Sequence, residues 1–135
     1  MSPLTSPRFE FAAEAVNLSA ARNVVRGFLS ANGWANKELD VNIAIGEVLQ
    51  NVIRYGFGGE VEVGSFWLKL EFLGDELVAT IEDDAQPSDP KTWSSEHREA
   101  HEGGHGLKLV YSLASSVHFE ALDAGNRAVL RFAKS

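Results

Sequence analysis

Glu47-Val48-Leu49-Gln50-Asn51-Val52-Ile53-Arg54-Tyr55 is strongly apolar along Val48, Leu49, Val52 and Ile53, yet it carries a polar set at helical spacing. Glu47, Asn51, Arg54 and Tyr55 stand at i, i+4, i+7 and i+8 and so share one helix face. An amide among such neighbours must find a partner or costs about a few kcal/mol. A carboxylate one turn before a carboxamide oxygen suits a hard cation that keeps some of its waters, as magnesium does when it bridges phosphates. A solvated helix face with one satisfied core amide fits the same spacing, so this helix alone leaves both readings open.

Working outward, Val41, Ile45, Val48 and Val52 form the buried stripe of a helix that starts after Asn36 and runs to Tyr55, where Gly56, Gly58 and Gly59 stop it. Upstream, Phe9, Phe11, Ala13 and Ala15 alternate in a strand ending near Val16. A helix over Leu18 to Asn32 follows, capped by Asn17 or Ser19, with Ala21, Val24, Val25, Phe28 and Leu29 inward and Gly33 in the left-handed position. Downstream, Phe66, Leu68, Leu70 and Phe72 alternate with polar residues, and Gly74-Asp75 turns the chain into Glu76 to Asp83. Residues 84 to 102 lack apolar periodicity and read as a long lid-like loop. A short helix with Leu107, Val110 and Leu113 or Ala114 inward follows, then strands over Val117 to Leu122 and Ala128 to Ala133 joined by a turn at Asp123 to Asn126. This order predicts an α+β, two-layer α/β sandwich and not an alternating parallel fold.

The totals fit one domain: 135 residues with 44% hydrophobic content suffice for a single core over 9–135, with residues 1–8 a flexible tail that is neither signal peptide nor membrane anchor. A net charge of -7 with twelve Lys and Arg argues against direct nucleic-acid binding. The absence of cysteine excludes disulfides and thiolate metal sites and fits a reducing, cytoplasmic setting.

Two further elements carry candidate chemistry. The period of two that turns Leu77, Ala79 and Ile81 inward also aims Asp83 inward, where a carboxylate needs a cation, backbone donors or a ligand's amino group. A strand that simply ends there, with Asp83 capping the next turn, is the alternative. Gly103-Gly104-His105-Gly106 opens a helix at Leu107, and bare N–H groups at the positive end of a helix dipole favour an anion. A plain glycine hinge is the competing reading.

Taken in order, Glu47 to Tyr55, Ile81-Glu82-Asp83-Asp84-Ala85-Gln86-Pro87-Ser88-Asp89-Pro90 and Gly103-Gly104-His105-Gly106-Leu107-Lys108-Leu109 resemble the three boxes of the Bergerat ATP-binding fold shared by gyrase, MutL and the histidine kinases. The branch most similar in length, lid, proline-containing segment and closing hairpin around Gly125-Asn126 is that of the anti-sigma-factor serine kinases. The resemblance implies a mixed, mostly antiparallel sheet covered by about three helices, with ATP and magnesium as cofactors. It implies that Asn51 holds the magnesium, that Glu47 is the catalytic base taking a proton from a serine hydroxyl, and that Asp83 accepts from the adenine amino group. Gly103, Gly104 and Gly106 would wrap the phosphates above Leu107, and Arg54, Ala85 and His105 belong to the same nucleotide site. Arg22 matches a first-helix arginine that meets the phosphate end or a partner.

The implied protein is an anti-sigma factor and serine protein kinase that sequesters a sigma factor and phosphorylates an anti-anti-sigma (STAS) protein, acting as a homodimer. A nucleotide-binding regulatory module without transfer, and a structural adaptor with an empty pocket, are the alternatives. Two positions depart from the family pattern: Ala85 stands where glycine is usual, and Tyr55 where histidine is common. His97, His101 and His105 are spaced by four, but Gly103 and Gly104 interrupt any helix that would align them for a metal. Trp34, Trp67 and Trp93 read as core or partner-surface aromatics, with an outward Trp67 pointing to an interface.

Overall fold

A computed structural model describes residues 8–14, 16–53, 64–85 and 106–134. Strand β1 (Arg8–Ala12) leads into helix α1 (Asn17–Ala31), a 3-10 turn (Ala35–Lys37) and helix α2 (Glu38–Asn51). Strands β2 (Ser65–Leu73) and β3 (Glu76–Asp83), helix α3 (Gly106–Leu113), and strands β4 (Ser116–Leu122) and β5 (Gly125–Ala133) complete the described elements.

The strands form one sheet in the order β1-β2-β3-β5-β4, with every neighbouring pair antiparallel. The mixed sheet implied by the resemblance is thus fully antiparallel among the described strands. The physical reason is that β4 runs along the sheet edge and doubles back through a two-residue turn, which delivers β5 beside β3 in the opposite sense. Its partner hairpin turns at Gly74-Asp75 as expected, and Gly74 at φ 63, with no positive φ at Asp75, has the φ pattern of a II′ turn.

One face of the sheet is apolar because alternation places Phe66, Leu68 and Leu70 of β2, Leu77, Ala79 and Ile81 of β3, and Ala128, Leu130 and Phe132 of β5 on the same side, all buried. The helices cover that face. Ala21, Val25 and Leu29 of α1, Val41, Ala44, Ile45, Val48 and Leu49 of α2, and Leu107 and Val110 of α3 join one core cluster with it. Within this layer α2 lies between α1 and α3. Trp34 is a core residue, buried beside Phe72 with ring centroids 5.2 Å apart, and its backbone N–H donates to the Leu29 carbonyl at 2.8 Å.

Several boundaries differ from the sequence expectation, among them β5, which begins at Gly125 and not at Ala128. β1 starts at Arg8 and stops at Ala12, because alanines continue the alternation in letters but offer the sheet little to pack. Neither Asn17 nor Ser19 caps α1; Asn17 is its first residue, and its carboxamide donates back to the Ala12 carbonyl at 2.8 Å. The regular α-helix of α2 ends at Asn51, and Val52 and Ile53 continue in a wider π turn.

The other face carries a transverse row of one side chain per strand. Arg8 reaches across the Trp67 ring, 5.4 Å from its centroid, to Glu82 at 3.4 Å. Arg127 then joins Glu82 at 2.8 Å and Glu120 at 2.9 Å. Those two carboxylates raise the pKa of Arg127 through direct hydrogen bonds. Trp67 does face outward, but half-buried beneath a guanidinium.

Candidate functional site

Asn51 terminates α2 one turn after Glu47, on the same face, and α3 packs against this helix. Glu47 is half-buried, while Asn51 is only 5% exposed. Its Nδ2 has no hydrogen-bond partner, the one fully enclosed side-chain polar atom among the described residues in that position. A buried orphan donor costs roughly 1–3 kcal/mol, so native structures keep one where something else answers it. The same carboxamide carries at its other end the oxygen that a hard cation takes. The helix continues over Val52 and Ile53 as a π turn, a feature frequent at functional sites.

At the end of β3, Asp83 is 4% exposed and inward, as its alternation with Leu77, Ala79 and Ile81 requires. Its Oδ1 accepts two hydrogen bonds, from the Ala85 backbone N–H at 2.9 Å and from Nδ2 of Asn126 at 3.0 Å. Burial is the largest influence on Asp83 and raises its pKa above the ordinary 3.8; the two donors oppose the rise, and the neighbouring Asp84 charge adds to it. Asp84 is exposed and instead ties the strand ends, its Oδ1 accepting from the Ser65 N–H at 2.8 Å.

Ala85 is buried and its φ is not positive, so the position expected to need glycine holds an L-residue without left-handed backbone strain. The glycine that this corner does need is Gly125. It sits at φ 137, and a Cβ there would collide with the Asp83 carbonyl oxygen and lie 3.1 Å from its carbon. Gly125→Ala is therefore expected to destabilise the fold by roughly 2 kcal/mol, combining backbone strain with overpacking. Urea unfolding checks it, and an unchanged midpoint contradicts the close approach of β5 to Asp83.

Asn126, also 4% exposed, belongs by sequence pattern to the turn at Asp123 to Asn126, and that pattern assigns it no role. The signal for its face was available, since the period of two through Phe132, Leu130 and Ala128 turns residue 126 inward; its place opposite Asp83 comes from the pairing of β5 with β3. Asn42 was missed as well; buried on α2, it donates to Glu38 at 2.7 Å and to the Arg22 carbonyl at 3.2 Å, joining α2 to α1. Arg22 itself is exposed and lines a groove between α1 and α2 with Asn42, Gly46 and Gln50, a groove that neither Glu47 nor Asn51 lines.

Glu47 and Asn51 are thus brought together on α2, and Asp83, Ala85 and Asn126 are joined by hydrogen bonds at the β3–β5 end. Gly106 is the first residue of α3, and Leu107 is buried against the core. Arg54, Tyr55, Gly103, Gly104 and His105, with His97, His101 and Trp93, lie outside the described residues. No helix among the described residues is long and apolar enough to cross a membrane.

Solved structures share this architecture. The RsbU and RsbW domains of Rv1364c from Mycobacterium tuberculosis match with TM-score 0.68 and 19% identity over 94% of this chain and 32% of that one. The histidine kinase domain of the blue-light activated kinase EL346 from Erythrobacter litoralis matches with TM-score 0.57 and 14% identity over 87% of this chain and 59% of that one. The catalytic domain of the histidine kinase ThkA matches with TM-score 0.52 and 13% identity over 95% and 96% of the two chains. The chain therefore spans about a third of the first of these and under two thirds of the second. No curated protein is significantly similar in sequence. The family profile of the histidine kinase-like ATPase domain matches residues 11–132, nearly the whole of the sheet and helices described above, and the chain belongs to the histidine kinase-like ATPase domain family.

Proposed function

We propose that this domain binds ATP with magnesium and acts as an anti-sigma factor and serine protein kinase, sequestering a sigma factor and phosphorylating a serine of a STAS-domain antagonist, as a cytoplasmic homodimer. The observation that carries the reading is the orphaned, buried carboxamide of Asn51 one helical turn past Glu47. The motif order and the likeness to the RsbW-containing chain favour the anti-sigma branch within the family.

When bound, ATP supplies the transferable phosphoryl group and magnesium the positive charge that phosphoryl transfer requires. Asn51 would hold the metal through its carboxamide oxygen, with Nδ2 left to donate to a phosphate oxygen. Asp83 would accept from the adenine amino group beside Ala85, and the bare amides around Gly103, Gly104 and Gly106, with Arg54 and His105 nearby, would hold the phosphates at the start of α3. The Glu47 carboxylate would accept the hydroxyl proton of the incoming serine as that oxygen attacks. Among the described residues no hydrogen bond or ion pair engages Glu47, which leaves the carboxylate free for that proton.

A thermal-shift titration tests the binding half of this proposal. Magnesium ATP at a hundred times its dissociation constant is expected to add about 2.7 kcal/mol of stability, and the shift should shrink when magnesium is withheld. Asn51→Leu removes the orphan donor, so the ligand-free protein should be about 1 kcal/mol more stable while the nucleotide shift disappears. A parent that melts at the same temperature with and without magnesium ATP leaves only the adaptor reading.

A further inference from the structure

Asp83 and Asn126 are cross-strand partners on the apolar face of the sheet, each 4% exposed, at the end where β3 and β5 run out of core residues. Two neutral amides as partners for a carboxylate is a choice with a geometric result. Both the Ala85 N–H and Asn126 Nδ2 donate to Oδ1, and among the described residues no donor reaches Oδ2. A carboxylate gripped at one oxygen by donors from two different strand ends cannot rotate about its Cβ–Cγ bond without breaking both bonds. The second oxygen is thereby held in place as the acceptor left open.

We propose that Asn126 is a positioning residue for base recognition: it locks Asp83 so that Oδ2 alone meets the nucleotide, and it thereby sets the preference for a 6-amino over a 6-oxo purine. This rests on the nucleotide reading above. An amino group at the purine 6-position donates to Oδ2, whereas a 6-oxo group sets acceptor against acceptor. The grip also fixes where a proton goes. With Oδ1 occupied by two donors, protonation falls on Oδ2 and turns it from acceptor into donor, which reverses its preference. Among the described residues the charged group bearing on Asp83 is Asp84, whose like charge favours that protonation; Asn126 opposes it.

The test measures dissociation constants for ATP and for inosine triphosphate, each with magnesium, at pH 8 and at stepwise lower pH down to the limit of the folded state, by competition with a fluorescent nucleotide. The parent should prefer ATP by about a hundredfold at pH 8, with the preference falling as pH drops. Asn126→Leu, similar in volume but without a donor, should weaken ATP about tenfold and cut the preference to a few-fold. Asn126→Asp places a second carboxyl against Oδ1, so its loss of ATP preference should set in at higher pH than in the parent. The second variant keeps the test decisive if the first does not fold. Parental preference and parental pH dependence in a folded variant overturn the role of Asn126 while the nucleotide reading stands. A parent that binds neither nucleotide overturns both.

Discussion

Asp83→Asn is expected to weaken ATP binding by about a hundredfold while leaving the ligand-free fold at neutral pH at least as stable as the parent. The binding loss follows from replacing an acceptor with a donor opposite a donor, which forfeits a charge-assisted bond and leaves a buried N–H unmet, together roughly 3 kcal/mol. The stability half follows from linkage. Burial raises the folded-state pKa of Asp83 above its ordinary 3.8, so the folded protein holds this proton more firmly than the unfolded chain does. The stability contributed by Asp83 is thus fully present below the unfolded pKa and is lost as pH rises through the folded one. Above that window the ionised group is a net liability, which the neutral amide removes while its oxygen still accepts from Ala85 and Asn126. Melting curves of parent and variant at pH 3 and pH 7 check the sign: the variant should gain on the parent as pH rises. A variant that binds ATP like the parent rules Asp83 out as the base-reading group.

Glu47→Ala is expected to lower phosphoryl transfer to a STAS-domain serine by about a hundredfold to ten-thousandfold, the range for removing a positioned general base. Its dissociation constant for ATP should stay within about twofold, since the proposed part of that carboxylate is to take the serine proton during transfer and not to hold the nucleotide. Alanine is the strongest helix former and Glu47 lies mid-helix, so the fold should survive. Transfer of label from ATP to candidate antagonists, beside a binding measurement, reads both quantities. Equal transfer by parent and variant removes Glu47 from the chemistry, and no transfer by a parent that binds ATP favours the regulatory module without kinase activity.

What could be read from the letters alone follows from how local each determinant is. The α2 stripe at Val41, Ile45, Val48 and Val52 and the β2–β3 hairpin at Gly74-Asp75 are set within a few residues, and periodicity with turn chemistry located them. Asp83 pointed inward on the same grounds. Its fixation by Asn126 depends on β5, 43 residues away, being slotted beside β3, and no local pattern reports which strands become neighbours. The early start of β5 escaped notice because Gly125, Asn126 and Arg127 carry no aliphatic side chain; they are held by the pairing with β3 and by the ion pairs of Arg127. Ala85 is the instructive case for a family comparison. It stands where the family usually has glycine, yet its φ is not positive, and the spatial demand for a missing side chain falls on Gly125, on the neighbouring strand.

The row Arg8, Glu82, Arg127 and Glu120 sums to zero, two cations against two anions, so the seven surplus negative charges of this chain are carried elsewhere. A bare apolar sheet face would invite a second sheet to stack on it. Here the side opposite the described helices carries a self-neutralised row that repels no approaching molecule by its sign and leaves it few bonds to make. Concentrated salt would find little long-range field there to screen, so any ionic-strength dependence in this protein's associations should originate from its other surfaces.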